Sequence, residues 1–418
     1  MLYKFVLPFI GGNHPFSKAD LEGVEVAAVL INAAEEKKRN ENFLGIFKTY
    51  LSLWIVSIDG SNGIMVESLQ LNSQAVKMRR FDKIIELDPD RDLASSSLAD
   101  FVSKLKFFES RVNSYQKEAK LDLDGFLAPF ILDDIRILFE KSEQANVDDT
   151  LIMSQRLTQQ AAEMMCAPII SIYHVDVHKI LSDFYQLPLL IKTQLLQIYR
   201  EFDEATNDYI NRVTDLKQKV NSLDEESTFE KQQRAVETLT HELLSFRDTH
   251  ERAIKKIHDM WDEINQLGDK IQLGYLNLIS SIFQTKSQIV DLGVPLIKNI
   301  RQSEVISALL PIYFAVYKEK KNRIAYIPPF ILHFDRKQEL SRSKGGEILK
   351  HSLEQHYSQK IPPGLSQLDD YNLLLQPNTQ KKFNDGVHKL RETKILSSNS
   401  YIQIMDTYNK FFREAQKP

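Results

Sequence analysis

Along this chain the spacing of apolar positions changes character twice. Short β-branched and aromatic runs come first, a long stretch stepping by three and four follows from about residue 148, and extended runs return after residue 293. Leu2–Ile10 reads as a strand ending at Gly11-Gly12. Ser17-Lys-Ala-Asp20 places an N-cap before a helix reaching about Lys38. Leu51–Ile58, the turn Asp59-Gly-Ser-Asn-Gly63 and Ile64–Leu69 carry the hairpin pattern of β-branched runs around a Gly/Asn/Asp cluster. Residues 98–120 and 125–140 read as amphipathic helices.

The middle stretch has few breakers for its length. In one limb the apolar positions run Ile198, Phe202, Ala205, Tyr209, Val213, Leu216, Val220 and Leu223. In the other they run Val236, Leu239, Leu243, Phe246, His250, Ile254, Ile257, Trp261 and Ile264. That step is the seam of a coiled coil, with stutters at Ala205–Tyr209–Val213 and at Phe246–His250–Ile254. Between the limbs, Ser227-Thr-Phe-Glu230 has the form of a capping box. The second limb, from 228 to about 290, spans about 90 Å, and its partner matches it if Pro168 and Pro188 bend a helix begun near 150.

After the arm, Pro311–Tyr317, the loop Lys318–Asn322 and Arg323–Ile327 form a second aromatic-rich hairpin ended by Pro328-Pro329. Gly345–Tyr357 and Tyr401–Glu414 read as helices, separated by loops carrying Pro362-Pro363-Gly364 and Gln376-Pro377-Asn378. The expected fold is mainly α with small β elements. Residues 1–147 and 293–418 make one composite α+β head, and a long antiparallel helical hairpin, 148–292, is inserted between them.

Charge sharpens this picture. The net charge is −4, yet from Pro311 onward 18 Lys and Arg face 11 Asp and Glu, whereas Met1–Ile191 holds 20 against 27. A basic end and an acidic end can attract each other, or the basic end can face an acidic partner. The single cysteine, Cys166, excludes an internal disulfide framework and a cysteine-based zinc site, and its apolar helical context makes it a buried small hydrophobe. The apolar start lacks a basic n-region and a cleavage site, and the run Val305–Tyr317 is too short to span a bilayer, so the expected compartment is the cytoplasm.

Candidate chemistry is sparse. No Walker loop, dinucleotide fingerprint, nucleophile elbow, HExxH or EF-hand loop is present, and no cofactor is expected. On a strand, His174-Val-Asp176-Val-His178 sets two imidazoles and a carboxylate on one face, the start of a metal-dependent hydrolase site; on a helix His174 and His178 share a face and Asp176 does not, and in neither case does a second ligand cluster complete a shell. Gly11–Pro15 and Lys344-Gly-Gly346 have the composition of backbone anion nests at helix entries. Lys318, Lys320, Lys321 and Arg323 form a basic hairpin tip beside Tyr313, Phe314, Tyr317 and Tyr326, a combination that binds nucleic acid when the aromatics are exposed and is an ordinary solvated turn when they are buried. The leading expectation is a non-enzymatic scaffold or interaction protein. Its arm pairs with a protein partner or with itself, and its head binds a macromolecule. A nucleic-acid accessory protein is the alternative.

Overall fold

The structure, a computed structural model, describes the chain apart from residues 1–3, 80, 82–86, 96, 115–117, 145–150, 223–228, 297–303, 333–342, 358–370 and 416–418. It is a mixture of long helices and a mixed sheet. Two compact units divide it: the first takes Met1–Lys77, Lys120–Tyr173 and Lys286–Pro418, the second Met78–Ala119 and His174–Thr285. In chain order the elements are β1 (Lys4–Val6), β2 (Ile10–Gly12), α1 (Lys18–Glu36), β3 (Asn42–Ser57), β4 (Asn62–Glu67) and β5 (Ser73–Arg79). Then come α2 (Pro89–Leu93), α3 (Leu98–Ser114), β6 (Glu118–Asp124), α4 (Pro129–Phe139), β7 (Glu143–Gln144) and α5 (Gln159–Tyr173). The long helices α6 (Val177–Asn221) and α7 (Phe229–Asp291) lead to β8 (Gly293–Pro295), β9 (Val305–Lys318), β10 (Asn322–Ile327) and β11 (Phe330–Leu332). The chain closes with α8 (Lys344–Tyr357), a 3-10 turn at Leu373–Leu375, α9 (Thr379–Glu392) and α10 (Ser398–Ala415). Two expected features, the Ser227 end of the capping box and Pro362-Pro363-Gly364, lie outside the described residues.

In the first unit, β3 and β9 pair antiparallel along almost their whole lengths, from Asn42 opposite Lys318 to Val56 opposite Val305. The remaining edge of β9 is shared: β1 runs parallel to Ser307–Leu309, and β10 pairs from Tyr313 to Lys318. Pro311 falls in the interval between them, where its missing N–H costs no ladder bond. The two hairpins also share a register. A shift of 260 positions takes Ser57 opposite Gly63 onto Tyr317 opposite Arg323, and carries Val56 opposite Val305 onto Val316 opposite Gly45. A local two-fold axis therefore lies between β3 and β9. The expected strand Leu2–Ile10 is instead two short strands in different sheets, β1 on β9 and β2 on β11. Pro8 between them cannot donate to a continuous ladder. β3 also begins earlier than Leu51, because its first half, interrupted by Gly45 and Lys48, pairs with β9 as well.

Both faces of this sheet are covered, which is why β9 is one apolar run without alternation. Ile306, Ala308, Leu310, Ile312, Phe314 and Val316 pack with α4 and α8. Tyr313, Ala315 and Tyr317 pack with α1, α9 and α10. Ser17 and Asp20 form the capping box of α1. Four ion pairs tie C-terminal cations to N-terminal acids: Arg323 to Glu41, Lys350 to Glu36, Lys382 to Glu22 and Lys389 to Asp20. The glycines of Lys344-Gly-Gly346 have a packing explanation, since a Cβ on Gly345 would meet the Phe130 carbonyl at 2.3 Å.

The second unit holds α3, α6 and most of α7. The helix expected over 98–120 stops at Ser114, and Glu118–Asp124 joins β5 in a two-stranded ribbon. The two limbs are not matched in length: α6 has 45 residues and α7 has 63, about 68 and 94 Å. Pro168 and Pro188 lie inside helices and do not set the boundary. The chain breaks at His174–Asp176, where the Asp176 carboxylate caps α6 by accepting the N–H groups of His178 and Lys179. Leu187 and Ile191, on either side of Pro188, are buried, and that packing sustains the helix through the proline.

The helix α9 went unread in the sequence, and its placement depends on one close crossing. A Cβ on Gly386 would lie 1.9 Å from the Gly23 carbonyl oxygen of α1, and one on Gly23 would lie 2.9 Å from the Lys382 carbonyl. Backbone cannot yield there as a side chain can. Gly386→Ala should therefore destabilise the protein by roughly 2–3 kcal/mol in urea unfolding, although alanine is the better helix former.

Candidate interaction surfaces

Beyond the part of α7 that α3 covers, α6 and α7 pair with no further cover among the described residues. α3 reaches α7 through the ion pair Lys106–Glu263 and the contact of Phe108 with Tyr275. In that stretch Ile264, Leu267 and Ile271 are buried. Farther out the two helices meet through a ladder of rings: Tyr199 on Trp261 at 5.1 Å, Tyr209 stacked on His250 at 4.5 Å and Arg212 over Phe246 at 4.9 Å. Residue numbers rise on one helix as they fall on the other, so the helices run antiparallel. Large apolar side chains stay open to solvent here, among them Tyr199 at 55%, Ile210 at 53% and Leu244 at 44% exposure.

Two apolar clefts open along this pair. One is lined by Ile198, Tyr199 and Phe202 with Ile254, Ile257, His258 and Trp261. The other involves Leu216, Lys217 and Val220 with Val236, Leu239, Thr240 and Leu243. Each residue of one cleft lies eighteen positions from its counterpart, as Ile198 does from Leu216 and Trp261 from Leu243. Eighteen residues are five helical turns, so the clefts share one face, about 27 Å apart.

A second surface lies at one end of the β3–β9 sheet. Asn42 pairs with Lys318, which brings the α1–β3 loop beside the β9–β10 tip. Lys38, Arg39, Lys318, Lys320 and Lys321 are exposed there, and half-buried Lys37 lies over the Phe411 ring. Arg323 is placed differently from its three neighbours in the predicted basic tip. It turns inward, bonds both Glu41 oxygens at 2.6 Å and the Glu36 carbonyl at 2.7 Å, and stacks over Tyr317. Those bonds hold the Glu41 carboxyl below the usual carboxylate range and raise the guanidinium. Tyr313, Phe314, Tyr317 and Tyr326 are buried, so the tip has no ring of theirs for base stacking. Sequence reading missed Lys37, Lys38 and Arg39, because only the strand register brings them to the tip.

His174, Asp176 and His178 fall at the turn into α6. The Asp176 carboxylate is engaged as the helix cap, 2.9 Å from the His178 N–H. Among the described residues no group of three or more His, Cys, Asp or Glu is placed to hold a metal ion. Cys166 is buried, and burial pushes its thiol up to about 12. At the α1–sheet contact, Glu25 accepts from Lys48 at 2.7 Å and from the Tyr313 hydroxyl. Burial and the Glu25 charge hold the Tyr313 phenol well above its ordinary value. This closed set joins α1 to the sheet.

Comparison with protein-family models, curated proteins and solved structures finds no match. Among the described residues no helix is long and apolar enough to cross a membrane.

One buried carboxylate gives the first unit a pH signature. Glu67 is fully buried and accepts the N–H groups of Leu69, Leu71 and Asn72, while burial pushes it up to about 6. Between about 4.5 and 6 the native state holds this proton more tightly than the unfolded chain does, so stability falls as pH rises through that window. The expected fall is about 2 kcal/mol, and Glu67→Gln should remove it from a series of urea unfolding curves taken between pH 4.5 and 7.

Proposed function

We propose that this chain is a non-enzymatic association protein of the cytoplasm. Its α6–α7 arm is an antiparallel coiled-coil hairpin that docks another helical pair on its open face. The carrying observation is the pair of equivalent clefts on one side of a two-helix layer. A helix pair normally buries an apolar stripe and shows a polar outer surface. Here exposed Tyr199, Ile210 and Leu244 extend the apolar surface outside the seam. A face with several large apolar side chains in helical register fits helix-on-helix docking better than a small ligand.

The test compares the full chain with an Ile210→Glu, Leu244→Glu variant, both sites being exposed. Tagged protein should recover a helical partner, an untagged copy included, that the variant does not recover. Equal recovery by both, at equal helical content, overturns the reading.

A second reading rests on the basic end of the sheet. Five exposed cations from two remote loops, with Lys37 beside them, can neutralise phosphates of a nucleic-acid duplex. Buried aromatics leave it without the stacking that single strands use. Duplex should therefore bind better than single strand and without sequence preference. The logarithm of affinity should fall with the logarithm of salt at a slope of roughly −4 to −5. Lys38→Ala and Lys320→Ala should each reduce that slope by about 1, although 282 positions separate them in the chain. Salt-independent binding, or none at low salt, removes this reading.

A further inference from the structure

We infer that the partner on the open face of the α6–α7 arm is a second copy of the same arm, running the opposite way. The two copies are related by a two-fold axis level with Ile210 and Thr249. This rests on the association reading above and makes it specific.

A single stripe of residues on each helix makes up the open face. The clefts fix its direction on each helix: outward from the seam through Tyr199 and Lys217 on α6, and through Thr240 and His258 on α7. Continuing at 3.6 residues per turn, the same stripe carries Asp203 and Ile210 on α6, and Leu244, Arg247 and Glu251 on α7. Rotating α6 about Ile210 sets Asp203 level with Lys217 of the second copy, and the two-fold makes that ion pair twice. Rotating α7 about Thr249 sets Arg247, which already pairs with Glu251 of its own helix at 3.6 Å, level with Glu251 of the second copy, so that the two-fold joins two such pairs into one network of four charges.

The two rotations are independent of each other, and they coincide. The ladder that joins Tyr209 to His250 and Arg212 to Phe246 places Ile210 level with Thr249. One axis therefore satisfies both helices. It also brings Leu244 level with Ile254 of the second copy, so an exposed leucine meets a cleft wall. More broadly, residues 199–208 of α6 carry one Arg against four acids, and residues 210–221 carry three cations against one acid. Reversal about Ile210 lays the acidic half on the basic half.

The alternative arrangement, with both arms pointing the same way, sets Ile210 against Arg247 and Glu251 of the second copy, an apolar side chain on two charges. Its tips would also lie together. From Tyr199 to Asn221 the overlap is about 33 Å by about 20 Å, or about 650 Å² per copy, which lies at the lower end of stable interfaces.

Sedimentation equilibrium of the full chain should show a dimer, and Asp203→Lys should weaken it at least tenfold. Adding Lys217→Asp in the same chain should restore it, since the exchanged charges again oppose each other across the axis. Under mild oxidation Ile210→Cys should cross-link to itself, while Phe229→Cys at the arm tip should not. Buried Cys166 does not compete for the oxidant. A monomer at all concentrations overturns the inference, as does a dimer in which Phe229→Cys cross-links and Ile210→Cys does not. If the open face captures only a different protein, this inference fails while the broader association reading stands. If it captures nothing, both fail.

Discussion

The pairing of β3 with β9 is the contact on which the first unit depends. It joins residues 42–57 to residues 305–318, so almost 250 intervening residues must be looped out before its first hydrogen bond forms. Loop closure grows only slowly with length, but such non-local pairing is slow to find and must be rewarded by much burial at once. The reward is a strand whose side chains are buried on both faces from Val305 to Tyr317. Helices α4 and α8 cover one face, α1, α9 and α10 the other, and each face draws helices from both sides of the long excursion. The four ion pairs between C-terminal cations and N-terminal acids follow the same division. Much of the charge asymmetry of the sequence is thus used inside the unit, leaving the loops around Lys38 and Lys320 as the part that faces solvent.

Sequence periodicity disclosed what local chemistry decides. Ser17 and Asp20 announced the start of α1, the Asp59–Gly63 cluster announced a hairpin, and the three-four steps announced two long helices. It failed where a neighbour decides. The first half of β3, Asn-Phe-Leu-Gly-Ile-Phe-Lys, has a glycine and a lysine that discourage a strand reading, yet β9 pairs with it throughout. In α9 the apolar positions Phe383, Val387 and Leu390 step correctly, but Gly386 among them reads as a breaker. Its purpose is visible only against the backbone of Gly23. Pro168 and Pro188, expected to bend one limb begun near 150, do lie inside helices, and the break between α5 and α6, which the sequence reading did not place, lies at an aspartate that offers its carboxylate to the backbone.

The candidate surfaces divide the same way. Lys318, Lys320 and Lys321 were legible as a basic tip because they are adjacent in sequence. Arg323, two residues on, was not separable from them, because its partner Glu41 lies 282 positions away in the chain and reaches it only across β9. Lys38 and Arg39 could not be added without the register. For the arm, the two long helices were legible and the open face was not. A heptad pattern identifies which residues meet one partner helix, whereas the second apolar side is recognised only once the cover is known to end. That cover is α3, whose 17 residues reach about 25 Å.

What distinguishes the outer part of the arm is that its residues follow the rule for a buried helix without being buried. Inside the cover of α3, Ile264 and Ile271 are wholly enclosed; outside it, Val236, Leu243 and Leu244 hold positions of the same spacing and stay 38–46% exposed. Keeping such residues in water forgoes on the order of 1 kcal/mol for each side chain left half-open. A chain gains nothing in its own fold from placing leucine rather than lysine or glutamate at Leu244. The pattern is accounted for when another surface completes it, and the charges on the same face limit which surface can. An arbitrary apolar helix would leave Asp203 and Lys217 facing apolar atoms and would cover the Arg247–Glu251 pair of α7, at a desolvation cost that the leucines cannot offset. An arm with the same four charges in reversed order meets each with its opposite, and this sequence already supplies one.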